Sequence, residues 1–277
     1  MEDLPITNSC GIGLRPKHFE EIVNNISKEI KWVEVHTENF FAHNTYFHQV
    51  LEFVASKKPV SFHCVGMSLG STDPISKKYL KRLGELINLY NPILISDHLA
   101  WSSVGNDFFH DLFPVPYNDE AMEVFCNKID KVQNYLGRQI LIENPSLYIS
   151  FPGSIYQEPD FLNQLASKTG CGVLFDINNL YISSHNLKFD PKLYMDSLDP
   201  ANIKEIHLAG FEKGPEDFLI DTHSKPISSN VLELFKYFVT RFGPRPTLYE
   251  QDQDLQDLKS LINQAQIVDE IMRKLIP

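Results

Sequence analysis

Eight short apolar runs, each followed by a polar turn and most by an amphipathic stretch, constrain this chain more than any other feature. The runs are GIGL (11–14), IKWVEVH (30–36), PVSFHC (59–64), PILISDH (92–98), QILIEN (139–144), CGVLFDI (171–177), NIKEIHLAG (202–210) and PTLYEQD (246–252). Gly, Pro and Asn bound them, as they bound strands. Between them, apolar residues recur at helical spacing over 17–28, 75–90, 119–136, 229–242 and 255–274, with shorter candidates at 45–56 and 158–168. Strands alternating with helices imply βαβ units and a parallel sheet. Eight such units predict an α/β fold, a (β/α)8 TIM-type barrel, as a single domain over residues 1–277. A doubly wound open sheet is the other arrangement with this alternation. Region 181–200 promises at most one short helix, and 99–118 and 210–229 read as long loops after strands four and seven. Loops of that length in a compact domain tend to carry function.

Composition narrows the function classes. The formal net charge is −11 and no Lys/Arg cluster is present, so a nucleic-acid partner is not expected. No apolar run approaches the ~18 residues that a membrane span needs. The start, MEDLPITNSCGIGLR, lacks a basic segment followed by an apolar one, so we expect an unprocessed cytoplasmic protein. Cys10, Cys64, Cys126 and Cys171 are scattered with no CxxC, which suits free thiols.

Ligand-type residues gather at the C-terminal ends of the predicted strands. Strand two ends in Glu34, His36 and Glu38, strand three in His63, strand four in Asp97-His98, and strand five in Glu143-Asn144. Strand six gives Asp176 and Asn178, strand seven His207, the loop after it Asp221-Thr222-His223, and strand eight Glu250 and Asp252. The N-terminal ends, with Lys31, Pro59, Pro92, Gln139, Lys204 and Pro246, show no such cluster. Active sites of these barrels form at the C-terminal ends.

Taken singly, each residue has an ordinary explanation: a histidine satisfied in the fold, or an acid capping a helix. Asp73, Asp119 and Asp190 read as caps, and His18, His43, His48 and His185 as surface or loop histidines. The coincidence on one face resists that explanation. Glu143, Asp176, Asp221 and Glu250 would crowd negative charge into a confined space, and no Arg or Lys is expected on the strand ends to offset it. Metal cations are the natural counter-charge. Imidazole and carboxylate without thiolate suit Fe, Mn or Zn, and so many donors suit two or three ions. Asp221 and His223, two residues apart, can serve one ion if extended, and Glu250 and Asp252 likewise share a side. Asp97 should point away from His98, into a supporting role or toward another ion. Cys64, beside His63, should pack in the core. Trp101, Phe108, Phe109, Phe113 and Tyr117 could line a substrate groove or pack on one another. No GxGxxG, Walker A, GxSxG or HExxH motif occurs.

Nine segments in order, GIGLRPKHFEEI, EVHTENFF, FHCVGMSLGS, SDHLAW, HDLFPVPY, IENPSLY, FDINNLYIS, EIHLAGF and DTHSKPI, resemble the multinuclear non-haem iron-dependent oxidative enzymes of the methanobactin-biosynthesis type. The resemblance runs from about residue 11 to 252 and implies a TIM-type barrel. It further implies two or three iron ions of mixed valence, and O2 used to rework a cysteine of a ribosomally made precursor peptide. A small partner protein would present that peptide. By the same resemblance His63, His98, Glu143, Asp176, His207, Asp221, His223 and Glu250 are metal ligands, with Glu143 and Asp176 candidates to bridge ions. Asp252 becomes the candidate catalytic base, and His36, Glu38, Asp97 and Asn178 candidates to support the ligands. Two other readings stay open: a metal-dependent hydrolase, phosphoesterase or sugar isomerase on the same barrel, and a non-catalytic metal-binding protein.

Overall fold

The computed structural model describes residues 6–42, 45–105 and 107–275; the expected loop residue His43 lies outside them. Eight strands form the barrel: β1 (Cys10–Gly13), β2 (Val33–His36), β3 (Val60–His63), β4 (Ile95–His98), β5 (Leu141–Glu143), β6 (Gly172–Asp176), β7 (Ile203–Leu208) and β8 (Thr247–Tyr249). Each pairs in parallel with the next in sequence, and β8 closes on β1. The open-sheet alternative is therefore excluded. Around the barrel run α1 (Phe19–Asn24), α2 (Tyr46–Ala55), α3 (Lys77–Tyr90), α4 (Asp119–Leu136), α5 (Glu158–Thr169), α6 (Ile177–Leu187), α7 (Pro191–Ser197), α8 (Ser229–Phe242) and α9 (Leu258–Leu275). No helix among the described residues is long and apolar enough to cross a membrane.

The two-residue alternation of each strand separates two interiors. Val33, Val35, Phe62, Ile95, Ile142, Phe175, Ile206 and Tyr249 face the helices and join the main apolar core. The opposite faces fill the barrel in layers. At the floor, Trp32, Leu94, Leu141, Leu174 and Leu248 pack with Ile6 as a separate apolar cluster. Two residues further along the strands the layer turns polar, with Glu34, Ser61, Ser96 and Glu205 all inaccessible to solvent. His36, His63, His98 and His207 reach the C-terminal mouth two residues beyond that polar layer, whereas Glu143, Asp176 and Glu250 reach it two residues beyond the floor leucines of their own strands. The strand register places His36 beside His63, His98 beside Glu143, and Asp176 beside His207. Gly11 has a steric duty in the floor layer, since a Cβ there would lie 2.4 Å from Cδ2 of Trp32.

Several sequence expectations are corrected. The stretch 99–118 holds an antiparallel hairpin, Trp101–Val104 with Asp107–Phe113, and 210–229 holds a two-residue pairing of Glu212–Lys213 with Leu219–Ile220. Region 181–200 belongs to two helices, α6 and α7. The periodicity of α6 is obscured because Asn178, Asn179, Ser183 and Ser184 are buried alongside its apolar residues. Asp190 does cap α7, through Lys192 N. Asp119 and Asp73 are not caps: Asn118 caps α4 and Ser76 caps α3, while Asp73 accepts from the backbone N–H of Gly105. His18 is buried with its Nε2 2.8 Å from Gln256 O, His48 lies within α2, and His185 sits in the last turn of α6. All four cysteines are free, and Cys64 is buried in the core with its Sγ 3.4 Å from Thr37 Oγ1.

The Gly11→Ala substitution must displace a fully buried indole, and overpacking of this kind costs about 1–3 kcal/mol. At a few degrees per kcal/mol for a chain of this size, thermal unfolding followed by circular dichroism should show Tm falling by several degrees. Gly153→Ala, where a Cβ meets nothing within 4 Å, should leave Tm unchanged.

Candidate metal centre

The mouth of the barrel carries interlocking groups of donor atoms. Three triads, each with its atoms within 4.8 Å of one another, run across it: His63, His98 and Glu143; Glu143, Asp176 and His207; and Asp176, His223 and Glu250. Glu143 belongs to the first two and Asp176 to the last two. Glu250 also groups with Glu34 and His207, and with His36 and Asp252. The Nε2 atoms of His63 and His98 lie 3.4 and 3.3 Å from the same oxygen of Glu143, Oε2. Nδ1 of His207 lies 3.0 Å, and Nδ1 of His223 3.3 Å, from Oε2 of Glu250.

Hydrogen bonds around the mouth hold these side chains in place. His63 Nδ1 is 2.7 Å from Ser96 Oγ, one layer below. Asn144 and Asp176 are tied by two bonds between neighbouring strands, Asp176 N to Asn144 Oδ1 and Asn144 Nδ2 to Asp176 O. Asp176 caps α6, its Oδ1 accepting from Asn179 N, which leaves Oδ2 for the centre. Asp221 accepts from Ser146 Oγ and from Asn178 Nδ2, and its Oδ1 lies 2.8 Å from His223 Nε2. His223 adopts a left-handed φ of 45°, a sparsely populated conformation for a non-glycine residue. The backbone at Gly210 passes so close that a Cβ would sit 2.2 Å from Lys225 O, which fixes the loop carrying Asp221 and His223.

Not every expected residue joins the donor groups. Asp221 is outside the triads and touches the centre through His223. Asp97 faces outward, accepting from the backbone N–H groups of His98 and Met67, so it ties β4 to the loop after β3. Glu38 holds that same loop, accepting from Val65 N and the Tyr79 hydroxyl. His36 joins Glu250 and Asp252 at the rim.

Two groups, Arg15 and Glu205, were missed or misjudged in the sequence, and Glu34, read there with the strand-end residues, lies one layer below the mouth. The expectation of no cation at the strand ends is wrong, because Arg15, just past β1, is buried at the mouth. Its guanidinium donates to Asp252 Oδ1 through both Nε and Nη2, at 3.1 and 2.6 Å, and reaches Glu250 Oε1 at 3.4 Å. Gly13 makes room for it, since a Cβ there would lie 2.9 Å from Arg15 Cζ. Its acidic partners are more than 230 residues away in sequence, so no local signal shows the pairing. Glu34 and Glu205 are completely buried beneath His207, whose Nε2 lies 3.4 and 3.9 Å from them. The signal for their layer was available: each lies two residues before a mouth histidine, on the same face of its strand.

Electrostatics divides the mouth in two. Burial, with the pull of Glu250 added, would raise Asp252, but Arg15 and His223 hold it down at about 2. Burial would likewise raise Glu250, which His207 and His223 hold well below the carboxylate range. Across the centre, burial pushes Glu143 up to about 7 and Asp176 well above its ordinary value, against the pull of neighbouring histidines. Burial pulls His98 down, but Glu143 and Asp97 outweigh it and lift His98 to about 9. Burial and the neighbouring His98 push His63 well below its ordinary value. Glu143 Oε2, Asp176 Oδ2 and His207 Nε2 are buried without a hydrogen-bond partner. Buried polar atoms left this way are costly, and cations among them would supply what the protein does not. The donor set therefore fits metal ions. Above it opens a cavity of about 430 Å³, walled by Phe108, Phe109 and Leu112 of the hairpin on one side and by Tyr148 and Thr222 on another. The hairpin aromatics serve both expected roles, because Trp101 and Phe113 also stack on each other at 4.7 Å.

Comparison with known proteins adds the following. Residues 9–273 match the family described as RiPP precursor modification enzyme MbnB/TglH/ChrH. A UPF0276 protein of Psychromonas ingrahamii is 41% identical over 260 residues, covering 92% of this chain and 91% of that one. One from Caulobacter vibrioides is 40% identical, covering 93% and 92%. Among solved structures, endonuclease IV from Thermus thermophilus superposes with a TM-score of 0.61 at 13% identity, over 96% of this chain and 99% of the other. The 3-keto-D-glucoside 4-epimerase of E. coli gives 0.59 at 13%, over 95% and 99%. These structural likenesses establish the barrel and nothing about its chemistry.

The shifts at the mouth fix a pH dependence for the metal-free protein. Glu143, ordinarily near 4.5 and raised to about 7, keeps in the fold a proton that the unfolded chain gives up. Its contribution is present below about 4.5 and lost as pH rises to about 7. His98, raised from 6.5 to about 9, loses its contribution over the higher window. With chelator present, Tm should therefore fall steadily between pH 6 and 9, and Glu143→Gln should flatten both halves of that fall, since it also removes the carboxylate that lifts His98. A Tm that rises over this range would contradict these assignments.

Proposed function

This chain belongs to the MbnB/TglH/ChrH family of RiPP precursor modification enzymes, and from that membership and the overlapping donor triads we propose that it oxidatively modifies a cysteine of a ribosomally made precursor peptide, using O2 and two or three iron ions at the barrel mouth. A small partner protein would present the peptide. The observation that carries the reading is the sharing of Glu143 between two triads and of Asp176 between two. A single ion needs no such overlap, whereas adjacent ions are held together by carboxylates that bridge them.

His63, His98 and Glu143 would hold one ion, Glu143, Asp176 and His207 a second, and Asp176, His223 and Glu250 a third, with Asp221 close by. Iron bound there supplies one-electron and O2 chemistry that no side chain of this chain offers. The protein's own groups do the rest. Ser96 orients His63, Asn178 and Ser146 hold Asp221, and Arg15 fixes Asp252 and Glu250 against each other. Asp252, partly exposed at the rim, is the carboxylate best placed to meet a peptide N–H or thiol. It remains the candidate base of this reading, and because Arg15 and His223 keep it ionised it would first meet the substrate by accepting a hydrogen bond from that N–H or thiol. The hairpin aromatics narrow the cavity and shield it from water.

Two measurements test this reading. Metal analysis of the iron-loaded protein should find two or three ions per chain. His98→Ala, which touches one triad, should lose about one, and Glu143→Ala, which touches two, should lose more. Equal losses would remove the bridging role of Glu143. Separately, the iron-loaded protein should be mixed anaerobically with a cysteine-containing precursor peptide and its partner, then exposed to O2. Mass spectrometry should show a changed peptide mass together with O2 uptake. An unchanged mass with a full complement of iron would overturn the oxidative reading and return the metal-dependent hydrolase or isomerase to first place.

A further inference from the structure

A second and larger concavity, of about 570 Å³, lies beside the barrel mouth, between the loop after β5 and helices α5 to α7. Its walls are apolar, with Leu147, Ile149, Phe189 and Leu193 in contact with it, and Ile149 and Leu193 are more than half exposed. At its floor sits Glu158, almost completely buried. Tyr117 and Tyr194 donate to its two oxygens, at 2.6 and 2.9 Å, which orients the carboxylate and leaves each oxygen able to accept once more. Asp160 and Asp190 stand on the rim, and among the described residues no Lys, Arg or His lines the space. Lys192 of α7 is turned away, over the ring of Tyr237. Burial raises Glu158 to about 7 despite its two tyrosine donors, so two neutral hydroxyls leave its charge under-compensated. Such a space asks for a cation on an apolar stem.

The loop after β5 connects this groove to the metal centre. Pro145, Ser146 and Tyr148 line the cavity above the donors, while Leu147, Ile149 and Ser150 line the groove. Seven residues, 145–151, span the two, so the sites are separated by no more than about 21 Å, or about six residues of extended peptide. We propose that the groove binds the stretch of the peptide substrate adjoining the modified cysteine, receiving an Arg or Lys side chain at Glu158 and apolar side chains against Leu147, Phe189 and Leu193. The choice of a peptide rests on the function proposed above. The choice of a basic, apolar sequence rests on the groove itself, where every charge is negative and the walls are hydrocarbon.

The test uses the full-length protein and fluorescein-labelled synthetic ten-residue peptides in an anisotropy titration. One peptide carries a cysteine, an arginine five residues away and flanking leucines. Its matched controls replace the arginine by glutamine or by glutamate. The arginine peptide should bind at least tenfold more tightly than either control and should weaken with added salt. Glu158→Gln, which removes the charge and keeps one tyrosine donor bond while the other hydroxyl turns to accept from the amide, should erase the preference, and Leu193→Ser on the exposed wall should weaken all three peptides alike. Binding should persist with chelator present and in the Glu143→Ala protein, since no residue of the metal centre lines the groove. Equal affinity for the three peptides, or a preference that survives Glu158→Gln, overturns the proposal. So does a concentration-dependent self-association that Leu193→Ser abolishes while no peptide binds, which would make the groove a contact between copies. Failure of cysteine modification with the charge preference intact would instead count against the proposed activity and leave the groove standing.

Discussion

Negative charge buried inside the barrel, with too few cations to answer it, is the constraint on which the upper half of this molecule depends. Glu34, Glu143, Asp176, Glu205 and Glu250 are all buried within two layers of one closed sheet. Arg15 answers Glu250 and Asp252 and no more. Each further carboxylate taken out of water costs several kcal/mol unless it is protonated or paired. Glu143, Asp176 and Glu205 meet that cost in the bare protein by holding protons at pH values where ordinary acids have lost them. The apolar floor of Trp32, Leu94, Leu141, Leu174 and Leu248 lets the barrel tolerate it, by closing the far end with packing that needs no charge.

The two electrostatic halves of the mouth have different charge partners: Arg15 and His223 hold Asp252 down, and His207 and His223 hold Glu250 down. Arg15 sits against Asp252 and Glu250 and near His36, and on that side the carboxylates stay ionised. On the opposite side, Glu143 and Asp176 have only imidazoles beside them, and burial prevails. A cation arriving at the mouth therefore displaces protons chiefly at Glu143 and Asp176. Each belongs to two donor triads, so the positions most in need of positive charge are also placed to divide it between neighbouring ions; Glu250, shared by three groups, already has His207 and His223 against it.

Much of this was legible in the sequence, and the failures have physical causes. The barrel could be read because each strand must be apolar on its outer face to bury the helices, which produced eight compact runs with turn residues between them. The donors at the strand ends could be read because a histidine or acid closing an apolar run has few ordinary explanations when it recurs around a barrel. Arg15 could not, since a lone arginine before Pro16 looks like the start of a helix and its partners lie at the other end of the chain. Glu205 escaped for a different reason: it sits inside the run NIKEIHLAG, where one acid looks like the solvent face of a strand. Counting back two residues from His207 would have turned it inward. Helix α6 was hidden because polar residues are buried on several sides of it, tied to Asp176 and to the loop after β5, so it has no clean apolar stripe.

The same alternation explains why the fold alone says little about chemistry. In every barrel strand the residues that hold the helices and those that face the mouth occupy opposite parities. The donors of β4, β5 and β6 can change without touching Ile95, Ile142 or Phe175, which carry the packing. Superposition with an endonuclease and an epimerase at 13% identity is what such independence allows: the outer parity preserves a barrel while the inner parity is free to diverge. The family match differs in kind, because a relative is 41% identical across nine-tenths of both chains, well above the 13% of the structural neighbours. The inward-facing residues are therefore where this barrel differs from its structural neighbours, and there the carboxylates Glu143 and Asp176, each common to two donor triads, are what the reading of several ions rests on.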